Sequence, residues 1–70
     1  MTIWPSVKAK LLLAALKRNG WKVLRTSGSH KTLAKSGCRN FVFAFHDNEE
    51  VGPRMLARIA KNTGIKPDDL

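Results

Sequence analysis

An α+β fold, ordered helix, three antiparallel strands, helix, with both helices packed on one face of the sheet, is what this 70-residue sequence predicts. Three observations carry the prediction. Ala9, Leu12, Leu13 and Leu16 recur at i, i+3, i+4 and i+7, which gives an N-terminal helix one apolar stripe. From Trp21 the apolar period shortens to two, and the runs are separated by Ser27-Gly28-Ser29 and Ser36-Gly37-Cys38-Arg39, residues suited to turns. Past Pro53 the helical period returns in Leu56, Ile59, Ala60 and Thr63. Two one-sided helices and a short antiparallel meander bury their apolar faces by packing on one another in two layers, α-β-β-β-α.

Each element has its own signals. Pro5-Ser6 before Val7 to Asn19, with Gly20 after it, punctuates the first helix, Ser6 serving as N-cap and Gly20 as stop. Leu11 lies opposite the apolar stripe and is expected to be exposed or covered by a partner. Trp21, Val23, Leu24 and Arg25-Thr26 make the first strand, with Trp21 in the core and Trp4 at the surface or under the helix. The second strand runs from His30 to Lys35 and the third from Phe41 to Phe45. The phenylalanines at 41, 43 and 45 fill one sheet face. The tightest register that keeps Leu33 on the side of Phe43 closes the turn with Gly37-Cys38-Arg39 and pairs Leu33 with Phe43, which sets His30 opposite His46. Asp47-Asn48-Glu49-Glu50 breaks the pattern. Gly52-Pro53 opens the second helix, with Arg54, Arg58 and Lys61 away from its buried stripe, and Gly64 ends it. The tail from Lys66 to Leu70 is expected to fray.

Composition narrows the function. An apolar fraction of 43% and a charged fraction of 26% suit a folded chain, and the length suits one domain over residues 1–70. Thirteen Lys and Arg against five Asp and Glu give a net charge of +8, unevenly spread. Residues 1–46 hold nine basic side chains and no acid, while residues 47–70 hold four basic and five acidic ones. Such a surface suits a polyanion. Cys38 has no intrachain partner, so a reducing cytoplasm is the expected compartment. One Cys and two His are too few for a structural zinc site without the acids, and no metal is expected. The run Leu11 to Leu16 is too short for a bilayer, so no membrane association is expected.

The segment "SGSHKTLAK" places His30 directly after a turn, with Lys31 and Lys35 following and no carboxylate near. RNA carries its own nucleophile, the 2′-OH. Cleavage needs a base for that proton and cations for the charged phosphorane, and an imidazole with an ordinary pKa of about 6.5 suits the first task. Lys22, Arg25 and Lys31 suit the second.

"NGWKVLRTSGSHKTL" from Asn19 and "VGPRMLARIAKNTGI" from Val51 together resemble the HicA (YcfA-like) toxins, over roughly residues 6–65. Those are small ribonuclease toxins of the double-stranded-RNA-binding-domain-like fold, paired with a HicB antitoxin, and the histidine of their Gly-Ser-His is catalytic. The resemblance therefore implies a metal-independent mRNA interferase of a type II toxin-antitoxin pair, needing no cofactor, with His30 as general base. His46 is expected as an acid or orienting partner, on the strength of the register. Gly28 and Ser29 join Lys22, Arg25, Lys31, Arg54, Arg58 and Lys61 as expected RNA-binding residues. The chain departs from the family at Ala44, where a proline is usual, and at Arg54-Met55, where glycine is. The alternative is a non-catalytic RNA-binding module of the same fold.

Overall fold

The computed structural model describes residues 4–70. In chain order the elements are β1 (Val7–Lys8), α1 (Ala9–Arg18), β2 (Lys22–Ser27), β3 (His30–Ala34), β4 (Phe41–Ala44), β5 (Glu50–Val51), α2 (Pro53–Thr63) and a 3-10 turn at Pro67–Asp69. Strands β2, β3 and β4 form an antiparallel meander in that spatial order, as the alternating pattern requires. The stripes of α1 (Ala9, Leu12, Leu13, Ala15, Leu16) and α2 (Leu56, Ile59) meet Trp21, Leu33 and Phe43 in one buried cluster. Phe43 and Phe45 pack edge to face with ring centroids 5.1 Å apart, so the alternate phenylalanines do line the core side of the sheet. The described chain measures 33 × 28 × 17 Å, and its smallest dimension fits one sheet and one helix layer. The opposite sheet face is open.

Four expectations need correction. Ser6 does not cap the first helix: Val7 and Lys8 are taken up by a small second sheet, paired with Val51 and Glu50, so α1 starts at Ala9. Its first amides are satisfied by main chain, Ala9 N–H donating to the Glu49 carbonyl (2.8 Å) and Lys10 N–H to that of Asp47 (3.1 Å). Second, the tail does not fray. Lys66 N–H donates to Asp69 Oδ2 (2.8 Å), and the Arg18 guanidinium donates to the Asp69 carbonyl (2.7 Å), which ties the 3-10 turn to the end of α1.

The third correction is register. Leu33 pairs with Phe41 rather than Phe43, and His30 with Ala44 rather than His46. The parity is right and the ladder is displaced by two residues. The cause is local: Cys38 N–H donates to the Lys35 carbonyl (3.0 Å), closing a turn around Ser36 and Gly37, whose φ of 81° only glycine adopts readily. That turn removes Lys35 and Ser36 from the ladder and lengthens the connection. The fourth is a bulge in β2: Val23 pairs with Leu33 but Arg25 with Thr32, which leaves Leu24 as an extra residue.

Trp4, left between surface and interior by the sequence, is 9% exposed and lies beside Ala57 and Ala60 of α2. Leu11 is exposed, as its position opposite the stripe predicts.

Candidate functional site

The β2–β3 hairpin builds the centre of the site. Ser27 pairs with His30 across the two-residue loop Gly28-Ser29. Gly28 has φ of 60° and, among the described residues, no non-glycine has positive φ, so the loop is a type II′ turn, whose twist matches the strands it joins. That turn fixes where β3 begins, and His30 is its first residue. The imidazole is exposed.

Ladder parity assigns the neighbours. Leu33 is buried against the helices, so His30, Thr32 and Ala34 alternate onto the open face. Their partners share that face: Ser27 and Ala44 flank His30, Arg25 and Val42 flank Thr32, and Lys22 pairs with Ala34. Arg25 is there because of the bulge. In an unbroken strand it would share the side of Val23, which pairs with Leu33 and faces the helices. The extra residue at Leu24 turns it over, two ladder positions from the Ser27–His30 pair and next to it on that face. Lys22, Leu24 and Ala34, with Gly20, Lys35 and Ser36, line a hollow of ≈ 350 Å³ at the far end of the same face.

The expected site residues thus fall into separate groups. Lys22, Arg25, Gly28, Ser29 and His30 share the open face and its turn. Lys31 does not: it pairs with Thr26 and Phe43 and belongs to the helix side of the sheet. Being next in sequence to His30 put it on the opposite face. His46 lies beyond the end of β4, where Glu49 N–H donates to its carbonyl (2.9 Å) and its own N–H donates to Glu49 Oε1 (3.3 Å). It starts the turn that swings the chain toward α1, and the cross-strand histidine pair does not form. Arg54 and Arg58 are exposed on α2, in the helix layer. Lys61 stands at the sheet edge, lining a cleft with Asn62 and residues 38–42.

Sequence reasoning missed Ser27, Thr32 and Ala44 as the immediate surroundings of His30. Ser27 could have been found from the hairpin, since a two-residue loop at Gly28-Ser29 makes it the partner of His30. Thr32 and Ala44 depend on the bulge and the register. Chemically, the open face offers one imidazole, the cations Lys22 and Arg25 with Lys35 at its far end, hydroxyls from Ser27 and Thr32 and an apolar floor from Leu24, Val42 and Ala44. Leu24 and Val42 are 59% and 54% exposed on that face.

The family model described as HicA toxin of bacterial toxin-antitoxin matches residues 9–65, from the start of α1 past the end of α2. No curated protein and no solved structure matches the chain.

Proposed function

The chain belongs to the HicA toxin family of bacterial toxin-antitoxin pairs, and we propose that it is an endoribonuclease that cleaves mRNA with His30 as general base. The observation that carries the reading is the shared open face. His30 is exposed at the turn, with Arg25 two ladder positions away on the same face and Lys22 farther along.

RNA laid on this face places a 2′-OH at the imidazole. His30 takes the 2′-proton as the 2′-oxygen attacks the adjacent phosphorus, and the bond from phosphorus to the 5′-oxygen breaks. The leaving oxygen takes a proton from solvent, and the products are a 2′,3′-cyclic phosphate and a 5′-hydroxyl. Arg25 stabilises the charge gathering on the phosphorane oxygens. Ser27 and Thr32 offer hydroxyls to the sugar and phosphate. A base so placed is worth roughly 100- to 10,000-fold in rate.

A HicB-like antitoxin is the proposed inhibitor, covering the same basic face with carboxylates. Charge reversal at Arg25 should then slow association far more than it speeds dissociation, since long-range attraction acts on encounter. An association rate independent of salt would place the antitoxin elsewhere.

The test is direct: purified protein is incubated with a long unstructured RNA in EDTA. The expected result is fragments ending in cyclic phosphate from the wild type and intact RNA with His30→Ala. RNA left intact by the wild type, or cut equally by the alanine protein, overturns the reading.

A further inference from the structure

The cleft at the sheet edge has chemistry that the His30 face does not use. It encloses ≈ 520 Å³ between the β3–β4 connection and the last turn of α2, lined by Cys38, Arg39, Asn40, Phe41, Val42, Lys61 and Asn62. Two cations, two carboxamides and a half-buried ring converge on one concavity of the size small ligands occupy. The side-chain hydrogen bonds among the described residues engage Asn62 once, its amide donating to the Arg58 carbonyl (3.2 Å), and do not involve Arg39, Asn40 or Lys61. The Asn62 oxygen and both ends of Asn40 therefore have hydrogen-bonding capacity for a ligand.

We propose that this cleft is a nucleotide subsite that reads one base of single-stranded RNA next to the cleavage point. The inference rests on the RNA-cleaving reading of His30 and adds the residues that select its substrate. A carboxamide both donates and accepts, which matches the mixed donor and acceptor edge of an unpaired base, and Arg39 and Lys61 match its phosphate. The exposed part of Phe41 supplies an apolar wall for the base plane. Position supports the assignment. Val42 belongs to both the cleft and the open face, and it lies two residues along β4 from Ala44, the partner of His30. That is roughly 7 Å at the rise of a strand, so a chain crossing His30 reaches the cleft within a nucleotide or two. An acidic peptide would use the cations and pair the carboxamides through its main chain, but it brings no base plane to the Phe41 ring, and the short path from His30 favours RNA.

Cys38 is exposed in the wall of the cleft and provides a readout independent of cleavage. In the full chain carrying His30→Ala, which keeps RNA whole, short single-stranded oligoribonucleotides should slow alkylation of Cys38 by iodoacetamide. Free mononucleotides should do so only at far higher concentration. In the wild-type background, Asn40→Ala and Asn62→Ala should lower preference for the favoured base at one position of the cleavage map by roughly 2- to 10-fold, the worth of one hydrogen bond, with overall RNA affinity changing less. RNA that binds and is cleaved while Cys38 reacts unhindered and the map stays unchanged overturns the subsite and leaves the nuclease standing. Protection of Cys38 by an acidic peptide and not by RNA, or by mononucleotide and oligonucleotide alike, also overturns it. Failure to bind any RNA removes the premise and the subsite together.

Discussion

At the scale of single residues, His30 owes its place to the two residues before it. Gly28 takes the positive φ of the II′ turn, and Ser29 completes the loop that makes His30 the first residue of β3. Its exposure means that alanine there opens no cavity. His30→Ala should fold with an unchanged circular dichroism spectrum, should still bind antitoxin, and should lose growth arrest; arrest at equal expression would show that another group is the base. The two cations nearest to it in sequence and in space are separable. Arg25 shares its face, so Arg25→Ala should flatten the salt dependence of RNA affinity by about one ion, because one phosphate contact releases about one counterion. Lys31 faces the helix side, and Lys31→Ala should leave that slope nearer the wild type. Equal slopes for the two variants would mean that ladder parity does not control access to RNA. Ala44, where the family usually has proline, turns out to sit directly across from His30. The sequence placed that departure only on the way to His46.

Among the elements, the helix ends show local chemistry deciding local structure. Gly20 at φ 96° closes a Schellman motif on α1: its N–H donates to the Lys17 carbonyl (3.1 Å), and Trp21 N–H donates to that of Leu16 (3.1 Å). A Cβ at Gly20 would stand 3.4 Å from Lys35 Cε, a flexible side chain that can yield, so the penalty for Gly20→Ala comes from the backbone. It should cost about 1–2 kcal/mol. The melting temperature should then fall by several degrees, and an unchanged melt would mean that the turn relaxes without strain. The strands obey a less local rule. Their alternation was readable from Val23, Leu33 and Phe43, but the β3–β4 register was not. Two registers two residues apart bury the same face, and the choice fell to a turn hydrogen bond at Lys35–Cys38 that the tighter reading did not consider.

For the whole molecule, the core lies between sheet and helices, and basic side chains lie on both layers, Lys22 and Arg25 on the sheet and Lys10, Lys17, Arg18, Arg54 and Arg58 on the helices. The core is one cluster from Trp4 to Ile65 around Leu33, which is fully buried in the central strand. In a chain this small its loss is severe: Leu33→Ala should cost about 2–5 kcal/mol, checked by denaturant unfolding. A loss well below that range would mean that the site collapses around the smaller side chain. The acids are also placed. The Asp47–Glu50 loop gives its carbonyls to the first amides of α1, and Asp69 is held by Arg18 at the other end of that helix. Sequence alone determined the layer order, the helix stripes, the core residues, the basic balance and the importance of the turn before His30. Each of these follows from period, composition or neighbours within a few positions. The side taken by Lys31 also follows from strand alternation. Only the tertiary structure decided that Arg25 joins His30 and that His46 does not pair with it. Those facts depend on one extra residue in β2 and a two-residue displacement between β3 and β4. Neither alters the hydrophobic pattern, so the pattern could not reveal them.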